Sequence, residues 1–450
     1  MALREMKDPV AIYHNLLEDE RIAQGSAEML HEGQRERRLV FGDRPVSITL
    51  RPQLISRHQY DTAVAASHAI FAAFERLERA LIDDALLRAE LDLQPEEERL
   101  ALADRGCDSS STSSRIDGFY SDRLRYVEYN AESPGGMAYN DELIAIFERL
   151  PVMRAFRKRF RLRALPLRSR QLSAMLRCFK EWGKARTPVV AIIDWRGLPT
   201  SREFELFRDF FTARGIRTII TDPLALEFRG GTLYAEGQPV NLVYRRVLTS
   251  ELLERGEESR ALRDAYLAGA ACVLNSFRAK LLHKKMSLAL LSDDRYAHLY
   301  TAPQRRAIHR HIPWTRKMRA GSTRRNGTRI EDLPQYVAGH PEELVLKPND
   351  EYGGKGVVLG WAVPREEWQR TVQIALEESY VVQEAVPIPR QLFPVVLGTI
   401  RYVDFATDMD PYLFNGRVSG CLSRLSSSEL LNVTAGDGSI APSYVVEGEQ

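Results

Sequence analysis

A lysine followed by a glycine-rich turn is the clearest chemical feature of the sequence. An apolar run ends at Lys347, a polar turn contains Gly353, Gly354 and Gly356, and apolar residues resume at 357–361. This pattern predicts a β-hairpin with a flexible tip. Glycines let backbone N–H groups approach an anion closely, and a lysine at the strand end adds a positive charge. The hairpin is a candidate phosphate clamp, although an ordinary turn fits the same pattern, and the GxxxxGK pattern of P-loops is absent.

Acidic and amide side chains on an earlier predicted hairpin could hold a metal ion. Residues 115–119 and 124–130 have strand character and are separated by a short turn, which would put Asp117 opposite Glu128. Glu128 and Asn130 are two residues apart, so their side chains point to the same face of the strand. Such an oxygen-only set suits Mg²⁺ that bridges the phosphates of a substrate. A solvent-exposed hairpin with incidental acidic residues also fits.

The elements that must position these residues are predicted from periodicity. Apolar residues recur at helical spacing between 61 and 97, and from 188 onward strands alternate with helices in the manner of a Rossmann-like layer. The glycine fingerprint of dinucleotide binding is absent from this layer. The serine-rich stretch 108–114 is predicted to be a linker, and one helix is predicted to contain Lys280, Lys284 and Lys285.

The composition indicates a large globular protein of 450 residues, of which 44% are hydrophobic. Lysine plus arginine (63) nearly balance aspartate plus glutamate (61), so the net charge gives no reason to expect a nucleic acid or a membrane as partner. The four cysteines are far apart and form no CxxC pair, which argues against a disulfide framework or a zinc site. Neither a membrane-spanning run nor a signal-peptide pattern is present, and we expect a cytoplasmic protein.

The glycine hairpin, the acidic hairpin and the later Val-Val-Gln-Glu segment at 381–384 together resemble the ATP-grasp superfamily. In most members the Glu-x-Asn motif follows the lysine and the glycine loop, whereas here Glu128 and Asn130 come well before Lys347. This order resembles the circularly permuted ATP-grasp proteins, which include the glutathionylspermidine synthetase domain and related bacterial carboxylate-amine ligases. The resemblance extends from about residue 110 to the end of the chain.

The resemblance implies a set of site residues. The implied Mg²⁺ ligands are Asp117, Glu128 and Asn130; the implied ATP contacts are Lys285, Lys347, Gly353, Gly354, Gly356, Gln383 and Glu384; the implied catalytic arginines are Arg115 and Arg424. Lys284 replaces Lys285 if the register differs by one residue, and Gln383 and Glu384 would form the hinge that meets adenine. Ser133, Arg245 and Arg246 are candidate contacts for a carboxylate substrate.

The implied fold is of the α/β (α+β) class, a circularly permuted ATP-grasp fold with a Rossmann-like pre-ATP-grasp unit. The expected units are a mainly helical region at 1–105, the metal-ligand segment at 106–185, the Rossmann-like unit at 186–276 and the nucleotide-binding part at 277–450.

The implied activity is ATP-dependent joining of a carboxylate to an amine through an acyl phosphate, with ATP and Mg²⁺ as cofactors and ADP and phosphate as products. Two alternatives are an ATP-grasp phosphotransferase and a non-catalytic nucleotide-binding partner protein. Amino acids, small peptides and polyamines all fit as substrates. The sequence does not indicate the oligomeric state.

Overall fold

The architecture comes from a computed structural model, which describes residues 8–42, 44–103, 110–183, 187–397, 399–429, 431 and 438–450. The helices are α1 (Pro9–Leu16), α2 (Glu20–Arg37), α3 (Arg57–Asp83), α4 (Ala85–Ala89), α5 (Pro95–Leu102), α6 (Met137–Phe147), α7 (Pro151–Arg157), α8 (Arg168–Trp182), α9 (Ser201–Thr212), α10 (Thr249–Glu254), α11 (Arg260–Leu267), α12 (Lys280–His283), α13 (Met286–Ser292), α14 (Ala302–His311), α15 (Leu333–Gly339) and α16 (Arg365–Glu377).

The strands are β1 (Val40–Phe41), β2 (Arg44–Pro45), β3 (Gln53–Ser56), β4 (Ser113–Tyr120), β5 (Leu124–Asn130), β6 (Phe160–Ala164), β7 (Val189–Ile193), β8 (Arg217–Thr221), β9 (Leu226–Arg229), β10 (Thr232–Ala235), β11 (Gln238–Val240), β12 (Leu242–Arg245), β13 (Cys272–Leu274), β14 (Thr315–Lys317), β15 (Thr323–Arg325), β16 (Thr328–Ile330), β17 (Leu344–Pro348), β18 (Val358–Leu359), β19 (Tyr380–Glu384), β20 (Arg390–Leu397), β21 (Thr399–Thr407), β22 (Asp410–Phe414), β23 (Arg417–Ser426) and β24 (Ser439–Glu449). The fold is therefore a mixture of helices and sheets, and the predicted α+β class is confirmed at that level.

The predicted alternation of strands and helices after residue 188 forms a four-stranded parallel sheet in the order β13-β12-β7-β8. Successive residues of β7 point to opposite faces: Val190 packs in the cluster that contains α9, and Ala191 packs in the cluster that contains α11. Helices thus cover both faces, as in a Rossmann-like layer. The helical segment after β12 is not continuous, because Gly256 adopts a positive φ of 52° between α10 and α11.

A nine-stranded sheet joins early and late parts of the chain. Its main path is β20-β21-β23-β22-β4-β5, with β24 beside β23 and with β3 and β6 beside β24. The early strand β4 pairs with the late strand β22, where Arg115 lies opposite Tyr412. The acidic hairpin therefore lies in the same sheet as the C-terminal strands.

A four-stranded antiparallel sheet holds the predicted nucleotide-binding residues, in the order β14-β19-β17-β18. Leu344 and Leu346 of β17 pack into a buried cluster with Trp368 of α16. Lys347 is the residue after Leu346, so its side chain points to the opposite face of the sheet. That face is directed toward the nine-stranded sheet, because the Nζ of Lys347 donates to the carbonyl oxygen of Val127 on β5 at 3.2 Å.

Part of the predicted serine-rich linker is instead ordered and buried. Residues 110–114 are buried, and Ser113 begins β4. The side chain of Asn275 fixes this segment, since its Oδ1 accepts from the N–H of Ser113 at 3.1 Å and its Nδ2 donates to the carbonyl of Ser113 at 2.7 Å. Residues 108 and 109 of the predicted linker lie outside the described residues.

Three cysteines, Cys178, Cys272 and Cys421, are buried and form no disulfide among the described residues, and Cys107 lies outside them. Among the helices of the described ranges, none is long and apolar enough to cross a membrane.

Candidate functional site

The acidic hairpin has the predicted register. Asp117 lies opposite Glu128, and Arg115 lies opposite Asn130. A β-bulge follows between Asp117 and Gly118. A Cβ on Gly118 would come within 2.8 Å of the carbonyl oxygen of Arg125, so the close approach of the two strands requires glycine there.

Asp117 lies between two arginines. Arg115 binds it with both arms of the guanidinium, since Nε donates to Oδ1 at 2.6 Å and Nη2 donates to Oδ2 at 2.8 Å. The Nη2 of Arg424, on β23, donates to the same Oδ2 at 2.7 Å. Burial by itself raises the pKa of Asp117, but Arg115 and Arg424 outweigh that effect and hold the pKa below its usual range. Asp117 is therefore held in its ionised form.

Two lysines, Lys285 and Lys347, contact strand β5 of the acidic hairpin. The Nζ of Lys285 lies 3.0 Å from Oε1 of Glu128 and donates to the carbonyl of Glu351 at 2.5 Å. The Nζ of Lys347 donates to Oε1 of Gln383 at 2.7 Å. Burial raises the pKa of Glu128, but the charges of Lys285 and Lys347 more than offset it, so Glu128 is held ionised. Two cations and two carboxylates thus meet between the sheets.

The predicted helix through Lys284 and Lys285 is interrupted there, which corrects the sequence analysis. Helix α12 ends at His283, because the carbonyl of Asn349 accepts from the N–H of Lys285 at 2.9 Å and its Oδ1 accepts from the N–H of Met286 at 3.0 Å. This break separates the two lysines. Lys285 reaches Glu128, whereas the Nζ of Lys284 lies 2.9 Å from Oε2 of Glu97 in the interior. The geometry therefore favours Lys285 as the residue of the candidate site.

The glycine turn follows β17 and is exposed. Gly353, Gly354 and Gly356 have positive φ values of 64°, 77° and 70°. A Cβ on Gly356 would also lie 2.6 Å from Cγ of Pro348. The hairpin prediction is confirmed by the pairing of β17 with β18, although β18 is only two residues long and a 3₁₀ turn replaces the rest of the predicted second strand.

The predicted hinge lies at the other end of the same sheet. Gln383 is buried and its Nε2 donates to Oγ1 of Thr315 at 3.0 Å. Glu384 is paired with Arg325 at 3.0 Å. A cavity of about 530 Å³ lies beside the hinge, lined by Glu384, Trp361 and other residues that include 385–388. Lys347 and Gln383 therefore share the face of the antiparallel sheet that meets the acidic hairpin, whereas Glu384, the next residue along β19, borders the cavity.

The fold is similar to that of a solved protein structure with little sequence identity to this chain. A solved structure of a glutathione synthetase-like effector from Globodera pallida superposes with a TM-score of 0.62 and 13% sequence identity, covering 96% of this chain and 99% of that chain. A putative gamma-glutamylcysteine synthetase from Methylobacillus flagellatus is less similar, with a TM-score of 0.42 and 12% identity over 85% of this chain and 87% of that one. No protein-family model matches the sequence, and no curated protein matches it.

In this synthetase-like fold, Arg245 and Arg246 do not face an open site. Arg245 is fully buried; its Nη1 lies 3.0 Å from Glu132, and its Nε donates to the carbonyl of Asn275 at 3.1 Å. Arg246 is also buried, and its Nη1 donates to the carbonyl of Pro134 at 2.7 Å. Both arginines hold neighbouring elements together, so we do not retain them as substrate contacts. Ser133 is half-buried in the turn after β5 and stays a prediction.

Two carboxylates of the site were not predicted from the sequence. Nε of Arg424 lies 2.6 Å from Oδ2 of Asp408 and 3.1 Å from Oδ2 of Asp410, and its backbone N–H donates to Oδ1 of Asp408 at 2.6 Å. Burial raises the pKa of Asp410 well above its usual value. Asp408 and Asp410 thus fix the arginine that binds Asp117. The sequence signal was only an Asp-x-Asp pair, which is common in turns.

The predicted role of Lys347 as an ATP contact can be tested through its pKa. Burial, only partly offset by Glu128, lowers this pKa from 10.5 to about 8. Below pH 8 the ammonium group is present and can pair with phosphate. Above pH 8 a proton must be taken up on binding, and we expect ATP affinity to fall by up to about tenfold per pH unit. Calorimetric titrations of ATP between pH 7 and 10 would show this decline, and Lys347→Met should remove it; an equal decline in that variant would contradict the assignment.

Proposed function

We propose that this protein is an ATP-dependent carboxylate–amine ligase of the circularly permuted ATP-grasp type. The observation that supports this best is the meeting of cations and metal-binding side chains between two sheets. Lys285 reaches Glu128 at 3.0 Å and Lys347 reaches the backbone of Val127 at 3.2 Å, while Arg115 and Arg424 both bind Asp117. Such a set of fixed charges suits a reaction that brings a polyphosphate and a carboxylate together.

The topology supports the permuted order. Strands β4 and β5 come early in the chain but pair beside β22, which comes late. The metal-ligand hairpin therefore joins the C-terminal strands in space although it precedes the glycine turn in sequence. The similarity in fold to a protein named as glutathione synthetase-like agrees with a ligase.

Each set of residues has a distinct role in the proposed reaction. Lys285 and Lys347 would neutralise the phosphates of ATP, and the N–H groups of the glycine turn would close over them. Gln383 and Glu384 would contact adenine at the hinge. The substrate carboxylate attacks the γ-phosphoryl group, ADP leaves, and an amine then displaces phosphate from the acyl phosphate to form an amide. Arg115 and Arg424 would stabilise the transferred group and the tetrahedral intermediate through charge-assisted hydrogen bonds.

The donor set fits Mg²⁺. The carboxylates of Asp117 and Glu128 and the amide oxygen of Asn130 are hard oxygen ligands of the kind that Mg²⁺ prefers. Asp117 is paired with Arg115 and Arg424, and Glu128 with Lys285, so Mg²⁺ would have to displace these cations from the carboxylate oxygens. When bound, Mg²⁺ would screen the charge of the outer phosphates of ATP. Across the described ranges, no group of three or more His, Cys, Asp and Glu side chains is arranged to hold a metal ion. We therefore expect metal binding to depend on ATP, whose phosphate oxygens would complete the coordination.

Substitution of one proposed ligand tests this assignment. We expect Glu128→Gln to raise the Mg²⁺ concentration needed for half-maximal ADP release by about tenfold or more, because a charged ligand becomes a neutral one. The measurement is a Mg²⁺ titration at fixed ATP. Glu366→Gln, at an exposed position of α16, is the matched control. Identical titrations for Glu128→Gln and the parent protein would remove Glu128 from the metal site.

The activity itself is tested by ADP release from the purified protein with Mg²⁺, ATP and pools of amino acids, short peptides and polyamines. Stimulation by one carboxylate and one amine together, with formation of an amide and free phosphate, would support the ligase. A stable phosphorylated product would instead identify a phosphotransferase. ATP binding without ADP release in any pool would favour the nucleotide-binding partner protein. We also propose a cytoplasmic location, in line with three buried cysteines that keep their thiol form.

A further inference from the structure

A second polar cavity lies beside the antiparallel sheet, at its β14 edge. Its volume is about 370 Å³, and it is enclosed by the start of β5, the 3₁₀ segment Asp294–Leu299, α14 and the β15–β16 hairpin. Its positively charged lining consists of Arg123, Arg125, Arg305, Arg316 and Arg324. Its acidic lining consists of Asp293, Asp294 and Glu384. Positive groups are thus in excess.

Two of the three acidic groups are already neutralised by arginines other than the five that line the cavity. Arg295 binds Asp293, with Nη2 2.7 Å from Oδ2. Arg325 binds Glu384 at 3.0 Å. The remaining acidic residue, Asp294, is exposed to solvent. The carboxylates around the cavity therefore offset the charge of the lining arginines only in part.

The anionic groups that reach these arginines do so only at longer range: Asp293 is 4.0 Å from Arg316, and Glu384 and Asp122 act on the charge of Arg125. Within the described residues, the guanidinium groups of Arg123 and Arg125 form no ion pair and no hydrogen bond. Arg316 is buried and hydrogen-bonds neutral oxygens, such as the carbonyl of Ser292 at 3.1 Å, while Asp293 is 4.0 Å away. Burial lowers the pKa of both Arg125 and Arg316, and the charge of Arg123 lowers that of Arg125 further. An anion bound in the cavity would stabilise the charged form of these two guanidinium groups.

We propose that this cavity binds a small anion with phosphate or carboxylate groups, at a site that borders the proposed hinge through Glu384 and does not include Lys347. Guanidinium groups match the planar oxygen pairs of both kinds of anion. Lys347 is not part of the lining: the cavity lies at β14, and in the sheet order β14-β19-β17 the strand β19 separates it from Lys347. Glu384 of β19 lines the cavity and is also a proposed adenine contact, so the two sites adjoin. Trp314 and the apolar residues Leu291 and Ile312 supply part of the wall.

The test is calorimetric titration of the full chain with inorganic phosphate and, separately, with citrate, in the absence of ATP. We expect Arg125→Gln and Arg123→Gln each to weaken the binding of the preferred anion by about tenfold or more. Arg306→Gln, an exposed position on α14 outside the cavity lining, and Lys347→Met, at the proposed ATP site, should leave it unchanged. Tighter binding of phosphate would indicate a phosphorylated ligand, and tighter binding of citrate a carboxylate ligand.

Three results would overturn the proposal: no binding of either anion at millimolar concentration, unchanged binding in both cavity variants, or loss of binding in Lys347→Met. Thermal unfolding of each variant shows whether it folds. If Arg125→Gln does not fold, Arg123→Gln decides the outcome, because Arg123 is exposed and its guanidinium forms no ion pair and no hydrogen bond among the described residues. Since no turnover is measured, failure here is distinct from failure of the ligase proposal.

Discussion

Replacement of Arg115 by alanine is expected to lower turnover by about a hundredfold or more while ATP binding is retained. Removal of one preorganised donor from a developing negative charge costs on the order of 3 kcal/mol in the transition state. Binding of ATP should be less affected than turnover. Arg115 contacts Asp117 and the carbonyl of Gly135, and it contacts neither of the two lysines proposed to bind ATP. The fold should survive as well, since Arg424 remains 2.7 Å from Asp117.

Single-turnover and steady-state ADP release, together with a calorimetric ATP titration, would check this expectation. Arg115→Lys keeps the charge but loses the planar fork and should recover only part of the activity. Arg417→Ala, at an exposed position on the same strand as Arg424, should behave like the parent protein. Unchanged turnover in Arg115→Ala would exclude the proposed role of Arg115.

Replacement of Lys347 by methionine should weaken ATP binding by roughly 30- to 100-fold. A hydrogen bond to a charged group is worth about 1.5–3 kcal/mol, and the enclosed position of Lys347 favours the upper part of that range. Methionine approximates the length of the lysine stem without the ammonium group. In the Lys347→Met variant, Glu128 is still paired with Lys285 at 3.0 Å. The substitution therefore leaves no buried carboxylate without a positive partner.

Equilibrium binding of ATP with Mg²⁺ measures the effect directly, and ADP release in the substrate pools should fall in parallel. Lys180→Met, on an exposed face of α8, is the matched control for loss of a lysine. Equal ATP affinity in Lys347→Met and Lys180→Met would contradict the proposed nucleotide site.

Several features of the site could be predicted from local sequence. The facing positions of Asp117 and Glu128 follow from the two-residue period of strands and from a short turn, and the structure has this register. The glycine hairpin after Lys347 follows from the positive φ angles that such a turn requires. These predictions depend only on residues close together in the chain.

Other features depend on contacts between distant segments. The break between Lys284 and Lys285 is caused by Asn349, some sixty residues later, and no local propensity marks it. Asp408 and Asp410 belong to the site because β22 pairs with β4. Arg245 has the chemistry of a carboxylate ligand, but burial against Glu132 gives it a structural role.

Local sequence patterns were enough to predict the class of the fold, the acidic and glycine hairpins and the residue types available for phosphate chemistry. The packing of distant segments was needed to establish which lysine faces Glu128, which arginines are enclosed and which acids fix Arg424. The physical reason is that backbone periodicity and turn geometry act over a few residues, whereas the burial and pairing of a charge depend on every segment that folds around it.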